Sequence, residues 1–143
     1  MNNVLAFFQS LIGKSMGNGP SPLAKWLNGT LLAAEKGSLT AEYTVREEMC
    51  NPAHILHGGI AAAIMDDLMG ATVFSLGVPT FFSSVNLNVD YLYSAPVGAK
   101  VIAKTEVIRA GKKVIHIECR IFDEQQNIIA KATSNLVATS KTL

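Results

Sequence analysis

Residues 51–79 read NPAHILHGGIAAAIMDDLMGATVFSLGVP, and this stretch decides how the rest of the chain is arranged. From Gly58 to Leu76 the spacing predicts one long helix, stopped where Gly77 and Pro79 follow. It is apolar on every side except at Asp66 and Asp67, and a helix of that kind is normally enclosed by other structure. The alternative is a bilayer span, which requires ~20 apolar residues. Two central aspartates, each costing roughly 2.5 to 3.5 kcal/mol on insertion scales, argue against it.

The flanking segments supply the enclosure. Residues 30–49, TLLAAEKGSLTAEYTVREEM, predict two strands about a turn at Lys36-Gly37, the second alternating Leu39, Ala41, Tyr43 and Val45 with polar neighbours. Beyond the helix come four more strand-like runs: FSSVNLNVDYLY, KVIAKTEVIRAG, KKVIHIECRIFDE and NIIAKATSNLVAT. The joints fall at 95–98, 110–111 and 124–127, and connections this short favour antiparallel neighbours. About six strands curled round a central helix would cover it on most sides. Ahead of this core, Asn3 is placed to cap a short helix and a second begins near Pro22; both read as peripheral. The expected organisation is one domain over residues 1–143, a helical segment at 1–28 and a core at 29–140.

Composition narrows the function. The chain has 143 residues, 49% of them hydrophobic, which suffices for one sizeable core. With 16% charged residues, a net charge of +1 and no block of like charge, nucleic acid is not an expected partner. The two cysteines, Cys50 and Cys119, read as free thiols. The opening MNNVLAFFQSLIGKSMG has no basic residue before its apolar run, which argues against a signal peptide, so a cytoplasmic location is expected. IGKS at 12–15 has Phe8 where a phosphate loop needs its first glycine, and Gly17-x-Gly19 is followed by proline at 22. Cys50, His54 and His57 lie within eight residues but match no closed zinc pattern.

Asn51, His57-Gly58-Gly59, Asp66, the run Ser84-Val85-Asn86-Leu87-Asn88-Val89-Asp90-Tyr91-Leu92 and Ala95-Pro96-x-Gly98 together resemble the hot-dog-fold acyl-CoA thioesterases of the phenylacetic-acid-degradation type. The likeness covers about residues 22–140. It implies an α+β hot-dog fold, homodimers or homotetramers, and hydrolysis of acyl-CoA thioesters without metal or organic cofactor. It also implies that Ser84 is the active-site serine and that Asn51 lies near the attacking water. Members often carry glycine where this chain has His54, a departure that bears on substrate choice.

The residues support a chemistry on their own account. Gly58 and Gly59 stand at a helix start, where amides lack intrahelical partners and the dipole is positive, so a substrate carbonyl can approach and its oxyanion be held. The same residues also suit a tight loop with a satisfied histidine. Asp66, if enclosed, would be desolvated and its pKa raised toward that of a useful base, unless bonding to the charged form opposes the shift. Alternatively one of Asp66 and Asp67 faces solvent at a sheet opening and the other bonds backbone or a partner, the reading favoured for Asp67, which lies about 100° round the helix from Asp66. His57 and Asp66 are nine residues apart, about 13.5 Å along a helix, so they meet on one substrate only across a symmetric dimer.

In the resulting scheme Asp66 is base or nucleophile, Gly58 the oxyanion donor, Asn51 the water ligand, and His57 and Ser84 position or polarise the substrate. Gly59 admits it. Arg109, Lys112 and Lys113 beside Gly111 are either a phosphate-binding cluster for coenzyme A or a solvated hairpin tip. Met65, Met69, Phe74, Phe81 and Phe82 either line the acyl pocket or pack the core. A silent acyl-binding module and a hydroxyacyl-thioester dehydratase are the other readings open on such a scaffold.

Overall fold

The computed structural model describes residues 2–143. Its elements are α1 (Asn3–Ser10), α2 (Pro22–Leu27), β1 (Thr30–Glu35), β2 (Ser38–Thr44), α3 (Gly58–Ser75), β3 (Thr80–Tyr91), β4 (Lys100–Ala110), β5 (Val114–Phe122) and β6 (Ile128–Thr142), with short 3-10 turns at Met16–Asn18 and Glu47–Met49. The six strands form one antiparallel sheet in the order β1-β2-β4-β5-β6-β3. α3 packs against β2, β3, β4, β5 and β6, so the expected wrap of sheet around helix is present. Among the described residues no helix is long and apolar enough to cross a membrane.

Local chemistry accounts for the helix ends. Asn2, one residue earlier than expected, caps α1: its Oδ1 accepts from the Val4 and Leu5 amides at 3.1 Å. Its Nδ2 donates to Ser75 O at 2.7 Å, tying α1 to the end of α3. Ser21 caps α2 with proline at the first turn. α3 stops at Gly77, whose φ of +77° suits glycine.

One stripe of α3 holds the core. Ala61, Ile64, Met65, Leu68, Met69, Thr72 and Val73, at helical spacing, are buried against the inward rows of the strands. Those rows include Leu39, Ala41 and Tyr43 of β2, and Ile115, Ile117, Cys119 and Ile121 of β5. The helix is therefore not enclosed all round, as its composition suggested. Asp66 is exposed, and Gly70, Ala71 and Phe74 are only half-buried. Within the core, Thr72 Oγ1 and Thr105 Oγ1 lie 2.6 Å apart, and Thr105 Oγ1 also accepts the Leu39 amide at 2.9 Å.

The sheet differs from expectation at β3. The joint over residues 92–99 does not return to a neighbour; β3 pairs with β6 at the sheet edge, while β4 inserts between β2 and β5. Crossing three strand spacings of ~4.8 Å is within reach of a segment this long. It is pinned on the way, Leu56 N bonding Ala95 O and Val97 N bonding His54 O, so it braces the turn that leads into α3. β3 is also interrupted: Ser84 pairs with Leu136 but Asn86 with Asn135, leaving Val85 as a bulge, 61% exposed. The bulge changes the side-chain phase. Before it Phe82 and Ser84 face the helix; after it Leu87, Val89 and Tyr91 do, and Asn88 and Asp90 look outward. Ser84 and the polar row Asn86, Asn88 and Asp90 thus lie on opposite faces, contrary to a straight alternation.

Replacing Thr105 by Val should remove the hydroxyl that satisfies the Leu39 amide while preserving shape. We expect a loss of about 1 to 3 kcal/mol in urea unfolding, seen as a lower midpoint at unchanged slope.

Candidate active site

At the N-terminus of α3 the backbone and one imidazole arrange the amides. His57 is the N-cap, with φ −64° and ψ 135°, and its Nδ1 accepts the Gly59 amide at 2.9 Å. The Ile60 and Ala61 amides both bond His57 O at 3.0 Å. The Gly58 amide has no hydrogen-bond partner among the described residues, which leaves it as the free donor at the positive end of the helix. A Cβ at 58 would lie 3.1 Å from the Tyr91 ring, tighter than ordinary contact, so glycine lets that ring stay where its hydroxyl donates to Gly58 O at 2.8 Å. Sequence reasoning gave Tyr91 no role of its own; it stands in the 84–91 run of alternating polar and apolar residues, and nothing in that pattern marks it.

Asn51 shapes the loop that delivers this turn. Its Oδ1 accepts the Ala53 amide at 2.9 Å and the Ile55 amide at 3.4 Å, an Asx turn that leaves Nδ2 as the donor free for other duty. His54 sits in the same loop with φ +61°. A left-handed residue explains why glycine suits this position, so the departure is first a backbone matter. Among the described residues no cluster of three metal-ligating side chains occurs, and Cys50 Sγ donates to Arg46 O at 3.4 Å.

Further along α3 lies the second group. Ser84 Oγ donates to Asp66 Oδ1 at 3.2 Å, a contact made possible by the Val85 bulge, and it leaves Oδ2 unengaged by Ser84. The enclosed Asp66 expected from the sequence is not what the single chain shows, because α3 turns that residue toward the β3 edge of the sheet and an open groove. Asp67 is the half-buried acid, its carboxylate accepting from Ser21 Oγ at 2.6 Å. Burial raises the Asp67 pKa, the Ser21 bond opposes the shift, and the neighbouring Asp66 charge adds to it.

Both carboxylates open into a groove of about 710 Å³. One wall is α3 with Gly70, Ala71 and Phe74; another is β3 with Phe81, Phe82 and Ser83. Phe74, Phe81 and Phe82 therefore line it, whereas Met65 and Met69 are fully buried in the core. The third wall is the segment taken as peripheral: Phe8, Met16, Pro20, Pro22 and Leu23. Ser21 bonding Asp67 fixes that wall to the helix.

Arg109, Lys112 and Lys113 are exposed around the β4–β5 turn, where Gly111 N bonds Val114 O at 2.9 Å. Register carries this tip to the level of the second group, since Val114 pairs with Val137 and Val137 with Ser83. Within one chain the predicted residues thus fall into two places. Asn51, His57, Gly58 and Gly59 gather at the start of α3; Asp66 and Ser84 meet about 12 Å further along it, with the basic tip at their level across the sheet.

The sequence model of the thioesterase superfamily matches residues 53–130, a span that takes in the His57-Gly58-Gly59 turn, Asp66 and Ser84. The chain belongs to the thioesterase superfamily. Among its relatives, acyl-coenzyme A thioesterase 13 of Homo sapiens is 28% identical over 114 residues, which cover 78% of this chain and 75% of that one. Among solved structures, the E. coli PaaI protein from the phenylacetic acid degradation operon superposes with a TM-score of 0.84 at 18% identity, covering 99% of this chain and 97% of that chain. A Streptococcus mutans protein bound to acetyl CoA gives 0.75 at 20% identity, covering 81% and 92%. The thioesterase described here therefore shares the hot-dog fold with these proteins.

The raised Asp67 pKa has a measurable consequence. Its native carboxyl keeps a proton to higher pH than the unfolded chain does, so this group favours the folded state at low pH and that contribution is lost as pH rises through the native pKa. We expect Asp67→Asn to gain stability relative to the parent as pH climbs above the ordinary carboxyl value of 3.8, in paired thermal melts across pH 4 to about 7.

Proposed function

We propose that this thioesterase hydrolyses acyl-CoA at two equivalent sites, each shared between two copies of the chain, with residues 1–28 and 29–140 acting as one unit. The observation that carries the reading is the Ser84–Asp66 hydrogen bond in the lining of a mostly apolar groove, paired with a Gly58 amide unengaged among the described residues at the helix start. An acid and an oxyanion donor are the two groups that thioester hydrolysis needs. The human relative named for acyl-coenzyme A and the neighbour holding acetyl CoA support the carrier.

In this reading the thioester carbonyl oxygen sits on the Gly58 N–H, and the acyl group enters the groove beside Asp66. Asp66 takes a proton from water as the water attacks the carbonyl carbon, or attacks that carbon itself to give an anhydride that water then opens. Either route places negative charge on the former carbonyl oxygen in the intermediate and breaks the carbon–sulfur bond; on the first the proton held by Asp66 passes to the departing thiolate, and on the second the thiolate takes its proton from solvent while the water that opens the anhydride restores the Asp66 carboxylate. Ser84 holds Asp66 Oδ1, leaving Oδ2 to act. Asn51 presents Nδ2 to the water, Gly59 keeps the approach open, and His57 holds the turn through its Nδ1. With Nδ1 accepting an amide, the neutral His57 ring carries its hydrogen on Nε2 and is unsuited to act as a base there, which favours hydrolysis over dehydration.

Two copies are needed because one rigid helix separates the two groups. The sheet offers the means. The β1 edge is occupied by residues 13–16, through the Gly13–Leu31, Leu31–Lys14 and Met16–Gly29 backbone bonds, whereas the β3 edge is bare and carries the exposed Val85 and Tyr91. Antiparallel pairing of two β3 strands about Asn88, with Val85 bulged out of each, would set Ser84 of one copy opposite Tyr91 of the other, and Tyr91 holds Gly58. The Arg109, Gly111, Lys112 and Lys113 tip then receives the phosphates of coenzyme A.

Asp66→Asn should lower kcat by roughly a hundredfold or more in a thiol-release assay with a panel of acyl-CoA substrates, with KM little changed. Retained turnover in a folded variant removes Asp66 from the scheme. Charge reversal at Lys112 and Lys113 should raise KM about two- to tenfold at low salt and less at high salt.

A further inference from the structure

Gly70 is a glycine that neither packing nor backbone geometry explains. It lies in the middle of α3, and a Cβ built on it meets nothing within 4 Å. Its φ is not positive, in contrast to Gly77, and no ring crowds it, in contrast to Gly58. A helix-interior glycine weakens the helix relative to alanine, so what this residue contributes must be sought in the space it leaves open. That space is the groove. Gly70 stands four residues after Asp66, on the same face and about 6 Å further along the axis, and both line the cavity. Beyond it the walls are apolar: Ala71, Phe74, Val78 and Phe81, with Leu23 on the N-terminal segment.

We propose that Gly70 sets the depth of the acyl groove, so that the enzyme acts on thioesters whose aliphatic acyl chain runs from Asp66 past Gly70 along α3. The proposal rests on the acyl-CoA reading above. A side chain at 70 would close the groove one helical turn from the reacting carbonyl and leave the chemistry at Asp66 and Gly58 in place. Short acyl groups end before that point; long ones do not.

The test compares the parent chain with Gly70→Ala and Gly70→Leu on acetyl-, hexanoyl- and lauroyl-CoA, reading kcat/KM by thiol release, with thermal melts and sedimentation alongside. In the parent, kcat/KM should rise with chain length by up to about fourfold per methylene until the groove is filled. Gly70→Leu should lose roughly tenfold or more on lauroyl-CoA and under about threefold on acetyl-CoA. Gly70→Ala should melt a few degrees higher than the parent. An unchanged chain-length profile in Gly70→Leu, or an equal loss on all three substrates with or without a change of oligomeric state, overturns the proposal. A parent enzyme that cleaves none of the three sinks the acyl-CoA reading itself, and the two failures are thereby told apart.

Discussion

The rotation of α3 about its own axis governs this molecule. Burial of Ala61, Ile64, Met65, Leu68, Met69, Thr72 and Val73 against a curved sheet permits one orientation of the helix. The buried hydrogen bond between Thr72 and Thr105 adds a directional tie between helix and sheet that a slip would break, although Thr72 would keep its bond to Leu68 O and Thr105 its bonds to the Leu39 backbone. With that rotation set, Asp66 must face away from the core, Asp67 must turn toward Ser21, and Gly70 must open on the groove. The acid is displayed where the helix emerges beside the β3 edge of the sheet.

Much of this was legible in the sequence. The positions of α3 and of all six strands follow from hydrophobic period and from glycine and proline punctuation, and the Leu39, Ala41 and Tyr43 row is buried as read. The helix looked apolar all round because the groove is apolar too: Phe74, Ala71 and their neighbours face a cavity rather than a core, and side-chain type does not separate the two. So the carboxylate taken as enclosed stands exposed in the single chain. Residues 1–28 looked peripheral for a related reason, since beyond edging β1 they wall the groove.

Two features at β3 escape a one-dimensional reading. Alternation from Ser84 to Asp90 fits a straight strand, and only the pairing with Leu136 and Asn135 shows that Val85 is extra. Without that bulge Ser84 would point outward with Asn88, far from Asp66. Likewise the joint at 92–99 is short enough for a hairpin, yet β4 is taken by β2 and β5. Strand pairing is a competition among distant partners, and loop length is a weak voice in it. The consequence is functional as well as topological: β3 keeps a bare edge, and the crossing segment braces the loop holding Asn51 and His54.

A helix is also a ruler. About 12 Å of rigid rise between Gly58 and Asp66 keeps donor and acid apart in every single copy, so catalysis by both demands a second chain. Complementation tests this most directly: two inactive proteins, Asp66→Asn and Gly58→Val, are unfolded together, refolded as an equal mixture, and assayed for thioester hydrolysis. If sites are shared, mixed dimers regain one intact site and the mixture recovers about a quarter of parental activity. If each chain carries its own complete site, mixing restores nothing, and an inactive mixture in which mixed dimers are shown to have formed would contradict the account.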